Sequence, residues 1–343
     1  DVPVVVRRQR QMFIRDSIMA LLMRPLVILT EVPGKIIMRV IADDAILVGI
    51  GQQCIVLFTQ KFQILMQYIL DMGSLISTGK SFVFSNDNSV RQWLRHYHWA
   101  AVDDTIKVVN NFRDLGAHLN LSGTNNGSTL TARMKKGVPK AHRITRLPFD
   151  YDVKANFVEM AVLSEALYGC EATYANEAHM GMLETAIANV VSPKASLRSN
   201  DIMFATHKKE VQPSAVIFMR RVVMLRRMLA KNPNLHKTMG GIWDLYAKLE
   251  FPGTSIDTLH SIPSDNAGMR NWKQRFMPRG PLGLLLLSAA HFHTHVDSKF
   301  IMRQIHEVPF SICGAPYQFL KHLVRTRICN ARNIFISRDR TMF

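Results

Sequence analysis

Residues 35–49 constrain the fold of this chain more than any other stretch. Two short apolar runs, 36–41 and 45–48, are rich in β-branched residues and carry no charge except Arg39. Such runs favour strands. Asp43 and Asp44 stand between them. The stretch predicts a β-hairpin with two carboxylates at its tip. Adjacent carboxylates repel, and they persist side by side where a cation or a polar turn compensates them. Asp is also a favoured turn residue. A plain tight turn and a metal-binding pair are both open on this stretch alone.

The segments around the hairpin predict a mixed architecture. Residues 17–30 read as a buried helix that Pro25 should break or kink. Over 52–72, Phe58, Phe62, Leu65, Ile69 and Met72 recur at spacings of four and three. That pattern predicts an amphipathic helix, with Gly73 as its C-terminal cap. Residues 81–84 read as a strand directly after Lys80, and 105–119 as strand, turn, strand. Helices and antiparallel strands in this order indicate an α+β fold. Residues 120–129 are a loop by composition and mark a boundary. Beyond it, helices are predicted over 155–167, 182–191, 214–231 and 315–332. From 233 to 281 turn residues are frequent and periodicity is weak.

Charge narrows the partners. The 343 residues include 43 Lys plus Arg against 26 Asp plus Glu, a net charge of +17, and the pI is near 10.0. That excess points to polyanions, nucleic acid first and an anionic membrane surface second. Residues 131–146 hold Arg133, Lys135, Lys136, Lys140, Arg143 and Arg146 with no acid among them. In the 214–231 helix, Arg220, Arg227 and Lys231 fall on one face. Such stripes can neutralise phosphates, lie on a membrane surface, or simply be solvated helix faces. Nothing in them indicates base-specific readout. Four cysteines lie far apart without zinc-ligand spacing, which fits a reducing intracellular compartment. A nuclear location is expected ahead of a cytoplasmic one. No uncharged apolar run is long enough to span a bilayer. The chain begins without Met and is expected to be a piece of a longer protein.

Several pieces, in order, resemble the reverse transcriptases of non-LTR retrotransposons. Ile41, Ala42, Asp43 and Asp44 resemble polymerase motif C, with Ile41 where that family has an aromatic residue. Met72 and Gly73, followed by Gly79, Lys80 and the strand from Ser81, resemble motif D. Residues 112–119, with Asp114, Leu115 and Gly116 at their centre, resemble the motif E strand pair, the primer grip. Residues 143–148, and 166–171 with their Ala-Leu-Tyr-Gly phrase, resemble the thumb and the helices after it. The likeness covers roughly residues 15–200. The residues at 9–17 depart from motif B. Motif A, which supplies another metal-binding Asp, would lie before residue 1.

The resemblance implies a partial right-hand polymerase palm over 1–122, a helical thumb over 123–205 and a connector over 206–343. It implies RNA-directed DNA synthesis on an RNA template and DNA primer, with deoxynucleoside triphosphates as substrates. Two magnesium ions about 3.5–4 Å apart would assist phosphoryl transfer. Asp43 and Asp44 would be metal ligands, since magnesium prefers carboxylate oxygens. Lys80 would meet the triphosphate or protonate the pyrophosphate. Leu115 and Gly116 would shape the primer grip. With the motif A Asp not in the sequence, the chain alone is expected not to polymerise. A non-catalytic nucleic-acid-binding remnant is the main alternative. A zinc hydrolase is a further one, with His291, His293 and His295 converging from one strand beside Asp297.

Overall fold

The computed structural model describes residues 4–41, 44–51, 54–114, 117–120, 127–193, 199–248, 280–304 and 307–340. It combines helices with small sheets, an α+β architecture. The chain forms two compact units, Asp1–Asn110 and Asn111–Phe343.

The first unit opens with α1, Val4–Thr30, which continues through Pro25 without a break. Met23, Leu26 and Thr30 are buried, and the Thr30 hydroxyl donates to the Leu26 carbonyl at 2.7 Å. Ile18, Leu21, Leu22, Ile28 and Leu29 are exposed, Ile28 by 72%. The expectation of a buried helix therefore holds for one stripe only. The segment is apolar on all sides, but the unit packs against one of them.

Strands β1, Ile36–Ile41, and β2, Asp44–Gly49, pair antiparallel, with Ile36 opposite Gly49 and Ile41 opposite Asp44. Ile36 and Met38 are buried while Arg39 is exposed, the period-two alternation of a half-buried strand. These two residues and Leu47 share a core with Met23, Leu26 and Leu65. Leu65 lies on α2, Cys54–Asp71. After α2, Gly73 N–H donates to the Leu70 carbonyl at 2.8 Å and Ser74 N–H to the Ile69 carbonyl at 3.1 Å. Gly73 has φ +75°. This is a Schellman cap, and it requires a residue that tolerates the left-handed region. Next come β3, Phe82–Val83, α3, Asn88–His96, β4, His98–Trp99, β5, Asp104–Thr105, and β6, Lys107–Val108. Strands β3 and β6 pair parallel. A second small core joins Met66, Val83, Leu94, Trp99 and Ile106.

The second unit begins with a hairpin, β7, Asn111–Asp114, and β8, Ala117–Asn120, in which Asp114 pairs with Ala117. Then come α4, Ser128–Thr145, and α5, Tyr151–Phe157, which runs on through a π-helical segment, Val158–Leu163, into α6, Ser164–Ala166. Next are α7, Glu177–Val191, α8, Asn200–Thr206, α9, Pro213–Lys231, and α10, Leu235–Lys248. After α11, Gly280–His291, the strands β9, His295–Val296, β10, Ile301–Arg303, and β11, Phe310–Ser311, form one antiparallel sheet, and α12, Tyr317–Arg340, closes the unit. One core gathers α4 to α8; a second gathers α9 to α12 around the sheet. Helix α9 contributes to both, with Ile217 in the first and Phe218, Val222, Leu225 and Leu229 in the second.

Two glycines set the position of α4. A Cβ at Gly127 would stand 2.2 Å from the Tyr174 carbonyl oxygen, so the helix can start there only on a glycine. A Cβ at Gly137 would stand 3.0 Å from Ala166 Cβ and 3.2 Å from Leu183 Cδ1. That is where α4 crosses α6 and α7, close enough that a larger side chain would push them apart.

The structure corrects two readings in the last third. The 233–281 stretch contains a helix, α10, whose Trp243 is buried and donates through Nε1 to the Val296 carbonyl at 2.7 Å. The histidines do not share one strand. His291 ends α11, His293 sits in a turn with φ +49°, and His295 opens β9. They alternate with buried Phe292, Thr294 and Val296, so apolar packing explains the pattern. Asp297 accepts from Lys299 N–H at 3.0 Å, Ile301 N–H at 2.9 Å and Arg303 at 3.2 Å, which commits its carboxylate to a turn.

Candidate nucleic-acid interface

Of the residues singled out in the first unit, Asp44 opens β2 and is exposed, and Asp43 lies outside the described residues. Lys80 is exposed in the turn before β3, where its N–H donates to the Ser77 carbonyl at 3.1 Å. Leu115 and Gly116, between β7 and β8 in the second unit, also lie outside the described residues. Among the described residues no cluster of three or more His, Cys, Asp or Glu side chains could hold a metal ion. At the β1–β2 hairpin they supply one carboxylate, Asp44, which is not a magnesium-binding set on its own.

Helix α4 is where the predicted basic residues gather. Leu130, Met134, Gly137, Ala141 and Ile144 recur at spacings of four and three and are buried. That stripe fixes the helix orientation. Lys135, Lys136 and Arg143 are exposed, as is Arg146 at the C-terminal cap. Arg133 and Lys140 are half-buried at the edge of the packed face. Arg133 donates to the Tyr168 carbonyl at 2.5 Å, and its guanidinium lies 5.1 Å from the Tyr168 ring centroid. Lys140 donates to the Glu165 carboxylate. That bond, then the charges of Lys136 and Arg133, hold the Glu165 carboxyl below the usual carboxylate range.

An open cleft of about 660 Å³ lies along this edge of α4, lined among others by Arg133, Lys136, Glu165 and Tyr168. Its far wall comes directly after the π-helical segment. A π turn takes up more residues than an α turn and shifts the register of the residues beyond it, and such turns are frequent at functional sites. Tyr168 is 51% exposed and lines the cleft.

Helix α9 treats its cations differently. Arg220 donates to the Leu167 carbonyl at 3.0 Å. Arg221 is buried and donates to the carbonyls of Cys170 at 3.1 Å, Thr173 at 3.0 Å and Leu284 at 2.8 Å, and to the Ser288 hydroxyl at 2.6 Å. Burial lowers the Arg221 guanidinium to about 10, so it remains charged at neutral pH. Arg226 bonds the Ala315 carbonyl, and Arg227 donates to the Tyr317 hydroxyl at 2.9 Å. Both guanidiniums lie 5.8 Å from the Tyr317 ring centroid. Lys231 is exposed. Arg227 is exposed as well and Arg220 is half-buried, so of this face only the last turn of α9 is solvated.

Sequence reasoning singled out neither Glu165 nor Tyr168 as site residues. Tyr168 falls within the Ala-Leu-Tyr-Gly phrase, which was a usable signal. A single glutamate in an amphipathic segment carries none. Among the described residues no helix is long and apolar enough to cross a membrane. No protein-family model, curated protein or solved structure matches the chain.

Proposed function

We propose that this chain is a palm-and-thumb segment of a non-LTR-type reverse transcriptase, and that its second unit binds the RNA–DNA hybrid of template and primer. The observation that carries the reading is α4. Its inner stripe is locked into a core, and its outer side presents Lys135, Lys136 and Arg143 to solvent beside the Arg133–Lys140 edge. A rigid row of cations on one helical face neutralises successive phosphates without reading sequence. The order of parts supports the same reading: an Asp44 hairpin, a helix capped at Gly73, Lys80 before a strand, and then the Asp114–Ala117 hairpin. The exposed cations of α4 support binding; nucleotide addition rests on the resemblance.

Two assays test this. Titration of a fluorescent RNA–DNA hybrid should give saturable binding that weakens steeply with added salt. Primer extension with magnesium and deoxynucleoside triphosphates should give no incorporation by this chain alone. Incorporation that disappears in Asp43→Ala would make it a polymerase in its own right. Hybrid binding without turnover, in the full parent polymerase as well, would favour a non-catalytic remnant.

A further inference from the structure

The Glu165 carboxylate pairs with Lys140 of α4 and lines the same cleft as two further α4 cations, Arg133 and Lys136. It accepts the Lys140 ammonium, and Lys136 and Arg133 lie close enough to stabilise its charge. These cations sit on consecutive turns, at spacings of three and four, and Arg133 and Lys136 also line the cleft. An anion paired to one cation of a helix, beside two more on the same cleft, stands where a phosphate oxygen would be stabilised by the same groups. The pair is open to solvent, with the Lys140 and Glu165 side chains 37% and 47% exposed. A competing anion can therefore reach the cations without unfolding anything.

We propose that Glu165 is a built-in phosphate mimic. In the free protein it occupies the Lys140–Lys136–Arg133 edge of the cleft, and a phosphate of the nucleic-acid backbone displaces it on binding. The idea rests on the nucleic-acid reading above and adds a regulatory residue to it. Glu165 weakens binding by competing for the cations. It also favours anions that bring enough charge to displace a carboxylate, which a backbone phosphate flanked by others does.

The matched control lies nearby. Glu159 forms a comparable exposed ion pair with Lys209 at 2.9 Å. Affinity for a mixed-sequence RNA–DNA hybrid is measured against salt for the wild type, Glu165→Gln, Glu159→Gln and Glu165→Gln/Lys140→Gln, with thermal melting to confirm folding. Glu165→Gln should bind roughly three- to tenfold tighter, and its salt dependence should steepen by about one unit in log–log slope as the freed cations engage phosphate. Glu159→Gln should change little. Adding Lys140→Gln should cancel most of the gain. The proposal is overturned if Glu165→Gln binds no tighter than wild type, or if Glu159→Gln gains as much, since that would be net charge alone. In both cases wild-type binding would leave the nucleic-acid reading intact. If neither wild type nor Glu165→Gln binds hybrid at low salt, both fall together.

Discussion

Helix α4 keeps Lys135, Lys136 and Arg143 outside a single buried stripe, whereas α9 is buried along most of its length and turns Arg220, Arg221, Arg226 and Arg227 onto protein groups. In sequence the two look alike, each an apolar repeat interleaved with cations. The difference lies in what surrounds them. Helix α4 packs on one side only, so its remaining faces reach solvent. Helix α9 sits between two cores, and a guanidinium there is stable only if its donors are satisfied. The carbonyls that end the 164–173 segment take Arg220 and Arg221. A basic helix thus exposes its cations or turns them into a structural clamp depending on how many faces it buries.

The contrast can be broken first at Arg221. Arg221→Met removes the donors serving three buried carbonyls and should destabilise the second unit by more than about 3 kcal/mol, or abolish soluble expression. Chemical denaturation measures it, and a loss below about 1 kcal/mol would mean that the clamp does not matter. Gly137→Val comes next. It drives a branched side chain into Ala166 and Leu183 at the α4 crossing and should cost about 1–3 kcal/mol. Because it displaces α4, it should also weaken hybrid binding, which a purely stabilising role for α4 would not require.

The smallest effect concerns pH. Glu184, on α7, accepts from the N–H and hydroxyl of Ser214 at the start of α9, at 3.1 and 2.6 Å. Burial raises its carboxyl above the usual range despite those bonds. A carboxyl raised in the folded state contributes stability that is full below its unfolded value and is lost as pH rises through the folded one. Glu184→Gln keeps an oxygen acceptor and removes the charge. It should raise Tm slightly at neutral pH and leave it unchanged in acid. Scanning calorimetry at the two pH values checks this, and a lower Tm at neutral pH would show that the ionised form is the one the fold uses.

Much of this is legible in the sequence. The 58–72 repeat and Gly73 mark α2 and its cap because periodicity and a left-handed turn both leave local signals. The β-branched runs mark β1 and β2 in the same way. Helix α10 was hidden because its glycines and polar residues blur the period, although Trp243 anchors it. The exposed side of α1 was hidden for a different reason, since an apolar helix does not say whether anything covers it. Burial of Arg221 was illegible because its partners are backbone carbonyls contributed by segments 48 to 63 residues away. Glu165 gains meaning only from its Lys140 partner and the α4 cations on the same cleft.

The central claim is that α4 carries the phosphate-binding face and α9 does not. It is tested most directly by hybrid affinity across a salt series for three proteins: wild type, Lys135→Gln/Lys136→Gln/Arg143→Gln in α4, and Arg226→Gln/Arg227→Gln in α9. The account predicts that the α4 variant keeps its stability within about 0.5 kcal/mol. It should lose affinity, with its log–log salt slope shallower by roughly one unit per cation removed, while the α9 variant keeps the wild-type slope. An α4 variant with the wild-type slope, or an α9 variant that loses it, would contradict the account.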